Sequence, residues 1–150
     1  MKHRYPKVAV FLFSLYLSNS KPSLMNSTFT KILSFILALI LIFFGLNKFI
    51  DFSFMPLPQL DETASSFMKS LSASRYVLPL VGILEVFIGL LLLLKKWVPF
   101  ALILLAPISI NILLFHLFLD LPSILPAIII VSINAVLIYK YWKSYKPLFQ

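Results

Sequence analysis

The sequence predicts an all-α protein: an antiparallel bundle of four transmembrane helices with a short amphipathic helix in the first extracytoplasmic loop. The first observation is composition. Of the 150 residues, 61% are hydrophobic and 12% charged, where an average soluble domain carries about 25% charge, and the mean hydropathy is +1.00. The second is arrangement, because four apolar runs fill residues 29–50, 76–94, 98–119 and 124–141. About 20 residues at about 1.5 Å each cover a hydrocarbon core of about 30 Å. The third is connection length. Lys95-Lys96-Trp97 and Asp120-Leu121-Pro122-Ser123 are so short that the helices they join must be antiparallel.

The chain divides into a tail, residues 1–28, and a membrane domain, residues 29–150. In the tail a basic start leads into an apolar stretch at 8–17, of signal-peptide length and too short to span, followed by Ser18-Asn19-Ser20. Cleavage there would leave the mature N-terminus outside, against the distribution of charge. We therefore expect an uncleaved interfacial tail or a translation start at Met25.

Orientation follows from lysine and arginine, which cytoplasmic flanks retain. One side collects most of the thirteen basic residues, from Lys2 to Lys31, at Lys95 and Lys96, and from Lys140 to Lys146; the other collects Lys48, Lys69, Arg75 and four of the five acids. Both termini are expected in the cytoplasm. Trp97, Tyr139, Tyr141, Trp142 and Tyr145 then form an inner aromatic belt, with Phe49, Phe52, Phe54 and Tyr76 at the outer surface.

The one sizeable loop spans 51–75. Phe-Met-Pro-Leu-Pro at 54–58 cannot be helical throughout. After it Leu60, Ala64, Phe67, Met68 and Leu71 recur at helical spacing, behind acidic Asp61 and Glu62 and with Lys69 near the end. This amphipathic helix should lie on the outer membrane surface or cap the bundle.

Several chemistries are excluded by what the sequence lacks. With no cysteine the chain holds no disulfide, dithiol or iron–sulfur cluster, and of its two histidines His3 lies in the tail, so one chain cannot supply two histidine ligands to a buried haem. No G-x-S-x-G, P-loop or G-x-G-x-x-G occurs. The net charge of +8 belongs to topology and headgroup contacts, since no basic helix or aromatic-interleaved patch points to nucleic acid. A transporter is disfavoured by the lack of discernible repeats or paired broken helices.

Glu85 is the one carboxylate inside an apolar run, and an intramembrane acid is a site hypothesis by default. Gly82, Glu85 and Gly89 fall within about 60° on an ideal helix, a strip narrow enough for another helix to approach. Glu85 should therefore face protein. It and Asn111 lie at matching depths, about 13 Å and about 12 Å from the outer surface. Asn47 and Lys48 close the first span behind Gly45, and a lysine stem is long enough to reach Glu85 if the first two spans are neighbours. His116 and Asp120 close the third span. The candidate ligand-binding set is Glu85, Asn111, Lys48, Asn47 and His116, around a polar pocket open to the outside. Asn111 and His116 stand about 140° apart on an undistorted helix, so only distortion near Pro107 would bring both to one pocket. Structural alternatives remain: a protonated acid bonding another helix for Glu85, a snorkelling anchor for Lys48, interhelical bonding for Asn111 and Asn134, and an interfacial role for His116.

Gly45-Leu46-Asn47-Lys48-Phe49, then Gly82-Ile83-Leu84-Glu85 leading to Gly89 and four leucines, then Pro107 with Asn111 and His116, and the closing Tyr145-Lys146-Pro147-Leu148, form a pattern that resembles the DoxX family of membrane proteins. The resemblance runs from about Thr28 to Leu148 and leaves the first twenty-odd residues without counterpart. It implies a compact four-helix protein of the bacterial inner membrane. The family is named for similarity to a subunit of a thiosulfate:quinone oxidoreductase, some relatives belong to membrane oxidoreductase assemblies linked to thiol or oxidative stress, and many have no assigned reaction. No metal is implied. Two functions from different classes follow. One is a redox-associated subunit holding quinone or another lipid-soluble molecule, with Glu85 and Lys48 or His116 serving carbonyl hydrogen bonds or proton transfer. The other is a non-enzymatic module, an assembly partner, homo-oligomer or lipid-like ligand binder, with glycine strips and aliphatic faces as its working surface.

Overall fold

A computed structural model describes residues 27–50 and 60–149. The expectations for residues 1–26 and for the proline-rich stretch at 54–58 lie outside the described residues. Every regular element among the described residues is helical: α1 (Ser27–Asn47), α2 (Glu62–Ala73), α3 (Val77–Leu93), α4 (Val98–Leu119), α5 (Leu125–Lys140) and α6 (Trp142–Tyr145). Short 3-10 turns follow α1 at Lys48–Ile50, join α4 to α5 at Leu121–Ser123, and follow α6 at Lys146–Phe149.

Two segments, Thr28–Asn47 and Val98–Leu119, are long and apolar enough to cross a membrane. The helices α3 and α5, at 17 and 16 residues, reach about 25 Å at about 1.5 Å per residue. Each is joined at a sharp bend to a flanking helix: α2 meets α3 at 85°, and α5 meets the segment Trp142–Leu148 at 70°. If each bent pair counts as one crossing, the number of spans rises to four.

The packing is antiparallel throughout. Gly45 faces Gly82 while Ala38 and Ile42 face Gly89, so α1 and α3 run in opposite directions. Likewise Ser109 meets Asn134 and Pro99 meets Tyr145, which sets α5 and α6 antiparallel to α4. Further contacts of α4 with α3 and of α5 with α1 close the four helices into a ring. Leu37 and Leu41 of α1, Ile88 and Leu92 of α3, Leu102 and Leu105 of α4, and Leu137 of α5 fill its centre. The outward positions are also apolar, as at Phe35, Leu39, Ile83, Phe87, Ile103 and Ile129. A helix apolar on every side has no aqueous face to present, which is the pattern of a lipid environment.

Among the helices of more than one turn, α2 departs from that pattern. It buries Ala64 and turns Asp61, Glu62, Ser66 and Lys69 outward. It packs on α3 and α4, with the Phe67 ring 5.8 Å from that of Phe115, so it caps the bundle at the end where α1 and α4 finish and α3 begins.

Two of the turns between helices use left-handed residues, Arg75 before α3 and Lys95 with Trp97 before α4. Lys95 follows the last turn of α3 with φ 55°; its N–H reaches the Leu92 carbonyl and that of Lys96 the Leu91 carbonyl. This is the Schellman closure, with lysine at the position glycine usually takes. Trp97, with φ 50°, completes the reversal into α4.

Candidate functional site

All three glycines of the chain lie on the seam between α1 and α3. A Cβ at Gly45 would stand 2.9 Å from the Gly82 carbonyl oxygen, one at Gly82 2.9 Å from that of Gly45, and one at Gly89 2.9 Å from that of Ala38. The two backbones therefore touch directly. Small residues permit this approach, which dispersion and close packing reward in a solvent as apolar as the side chains themselves.

Glu85 sits on that seam between Gly82 and Gly89, 1% exposed, and so faces protein. The side chain of Lys48 arrives from the 3-10 turn after α1. Its Nζ donates to Glu85 Oε2 at 2.6 Å and lies 3.5 Å from the Phe44 carbonyl oxygen. Gly82 brings the turn close: a Cβ there would meet the Lys48 Cβ at 3.4 Å and the Phe49 ring at 3.2 Å. The missing side chain lets the turn that carries Lys48 and Phe49 pack directly on α3, one helical turn before the acid. Lys48 is 15% exposed at its side chain, and the adjoining Asn47 is buried. Taking a carboxylate or an ammonium out of water is costly, and each partner offsets that cost for the other.

Asn111 and His116 do not join this pair. Asn111 is exposed on α4 and its amide donates to the Pro107 carbonyl one turn back at 2.9 Å. His116 holds its Nδ1 3.1 Å from Asp120 Oδ2, a contact between neighbouring turns at the end of α4. The 22-residue helix stays helical through Pro107, and each side chain is bonded within its own turn, Asn111 back to Pro107 and His116 forward to Asp120. The polar site is therefore Lys48 and Glu85, with Asn47 beside it in sequence.

Two polar contacts emerge that the sequence reading did not pair. Asn134 Nδ2 donates to Ser109 Oγ at 3.2 Å, linking α5 to α4 in the buried interior, while Asn134 Oδ1 has no hydrogen-bond partner. Tyr145, placed by its residue type in an interfacial belt, is instead 3% exposed and donates its hydroxyl to the Pro99 carbonyl at 2.9 Å. The i, i+4 spacing of His116 and Asp120 is a signal that foretells their contact; no comparable local signal marks the other two. Among the described residues no group of three or more His, Cys, Asp or Glu side chains is placed to hold a metal ion.

Searches against family models, curated proteins and solved structures return no match to this chain.

Proposed function

We propose that the chain is a four-span, DoxX-like protein of the bacterial inner membrane, with both termini cytoplasmic, whose Lys48–Glu85 pair binds a quinone or similar lipid-soluble carbonyl compound. The observation that carries the reading is the lysine. Its ammonium has three donors; one is spent on Glu85, a second faces the Phe44 carbonyl only at 3.5 Å, and the lysine side chain that carries it is 15% exposed. That leaves donor capacity aimed by a buried carboxylate, as a ligand carbonyl requires.

In this reading a quinone supplies the two-electron chemistry, and the electrons come from a partner oxidoreductase. The chain's own residues bind and orient. Lys48 donates to the carbonyl oxygen, Glu85 fixes the lysine head, and the glycine seam holds α1 and α3 close enough to keep the pair together. The resemblance to the DoxX family supports the fold in this proposal, and the lysines gathered at one end of the bundle, Lys31, Lys95, Lys96, Lys140, Lys143 and Lys146, support the orientation.

Saturable binding of a short-chain quinone to protein purified in mild detergent is the test. Wild-type protein should bind, and Lys48→Met should weaken binding about tenfold or more, the loss of one charge-assisted hydrogen bond of about 1.5–3 kcal/mol. If the wild type shows no saturable binding, the quinone reading fails. Co-purification of another membrane protein without bound quinone would instead establish the assembly-partner function. Such a partner would meet the outward aliphatic faces, since the glycine strip is filled within the chain.

A further inference from the structure

A second polar region lies at the opposite end of the bundle. There a groove of about 300 Å³ runs between the start of α1, the turn from α3 to α4 and the end of α5. Lys31, Ser34 and Lys95 line it together with apolar Phe35, Leu92 and Leu93. Trp97 and Tyr141 stand at its edge, and Trp97 is 74% exposed. On the same face of α1 as Ser34, one turn nearer the start, Thr30 is buried with its Oγ1 unpartnered.

Charge separates the two ends. Among the described residues this end carries Lys31, Lys95, Lys96, Lys140, Lys143 and Lys146 and no carboxylate, whereas Asp61, Glu62, Glu85 and Asp120 all belong to the other half. Neither Lys31 nor Lys95 has an acidic partner among those residues.

We propose that this groove holds an anionic phospholipid, with the headgroup phosphate taken by Lys31 and Lys95 and an acyl chain laid along the exposed side chains of Phe35 and Leu93. The occupant follows from complementarity. A basic pocket between helix ends at headgroup level attracts an anion, and beside it Phe35 and Leu93 are apolar and exposed, which suits a tail and not a free soluble anion. A second copy of the chain would bring the same lysines against these and be repelled. Tryptophan and tyrosine at the rim match the headgroup zone, where an apolar ring with one polar tip is stabilised. The proposal rests on residence in a membrane and is independent of the Lys48–Glu85 ligand.

Trp97 provides the readout. The chain has two tryptophans, so Trp142→Phe leaves Trp97 as sole emitter. In nanodiscs containing either brominated phosphatidylglycerol or brominated phosphatidylcholine as a minor component, Trp97 should be quenched at severalfold lower mole fraction of the anionic lipid. Lys31→Gln combined with Lys95→Asn, both changes on exposed side chains, should bring that preference to near unity, while Lys69→Gln at the other end should leave it unchanged. Equal quenching by both lipids overturns the headgroup assignment and leaves the bilayer placement standing. Absence of quenching by either lipid overturns both, and loss of the anionic preference in millimolar inorganic phosphate overturns the lipid in favour of a soluble anion.

Discussion

Lys48 Nζ stands 2.6 Å from Glu85 Oε2 across the closest approach of α1 and α3, one partner from a turn and the other from the middle of an apolar helix. The two ends of this contact are unequally buried, and the asymmetry makes the single variants informative. Lys48→Met strands a carboxylate that is 1% exposed and should cost about 3–5 kcal/mol, the range for breaking a buried pair. Glu85→Leu strands a lysine that starts from the turn at the bundle end and whose flexible stem can swing its head toward water, so it should cost less. The double variant should recover most of the larger loss. Equilibrium unfolding in mixed micelles measures all three, and strictly additive losses would contradict a direct pair.

Much of this geometry was legible in the sequence, and the reasons are local. Glycines three residues before and four after Glu85 place the acid on a small-residue strip, and such a strip is where another helix fits. The reach of Lys48 to Glu85 follows from stem length once α1 and α3 are neighbours. Asn111 was not legible because α4 is apolar around its whole circumference, and without an amphipathic stripe nothing in the sequence states which face turns inward. The side chain then satisfies itself on the Pro107 carbonyl, an option always open to asparagine within a helix. Tyr145 was missed for a different reason: its burial depends on the 70° bend after α5, which folds an aromatic of interfacial type under the start of α4.

The glycine seam predicts graded damage. Gly89→Ala would put its methyl 2.7 Å from Ile42 Cγ1 and 2.9 Å from the Ala38 carbonyl oxygen; the side chain can shift but the backbone yields only if the helices part. Overpacking of this kind costs about 1–3 kcal/mol. Leu90→Ala, one residue on and exposed, should change unfolding in the same micelles by far less. Equal effects would mean that α1 and α3 are not in backbone contact.

Sidedness is testable because the chain has no cysteine. In the proposed four-span topology Ser66→Cys and Leu121→Cys, at exposed positions, react with a membrane-impermeant maleimide added to intact spheroplasts. Lys96→Cys and Ser144→Cys should react only after permeabilisation. Labelling of Lys96→Cys from outside would remove either a span or the orientation.

The Tyr145 hydroxyl gives a smaller effect of known sign. Tyr145→Phe keeps the buried ring and deletes the bond to the Pro99 carbonyl, leaving stability lower by about 1 kcal/mol. Trp142→Phe, whose exposed ring meets Tyr145 edge-on at 6.5 Å, should be milder. A thermal shift of the two variants in detergent distinguishes a hydrogen bond that anchors α6 from simple ring packing.

Lys95 lets stability and ligand recognition be moved in opposite directions. Its φ of 55° places a side chain where an L-residue pays a conformational penalty of about 1 kcal/mol that glycine does not. Lys95→Gly should therefore keep the closure of α3 and raise the unfolding free energy by about that amount, whereas Lys95→Val, β-branched at the same backbone angles, should lower it. Both remove the ammonium from the groove, so both should reduce the preference for anionic lipid. In the proposed lipid site the contribution of Lys95 is its charge, set at a backbone position that favours glycine. If Lys95→Gly instead lowers stability in zwitterionic detergent, where no anionic headgroup is present, the side chain contributes to packing and that explanation of the turn fails.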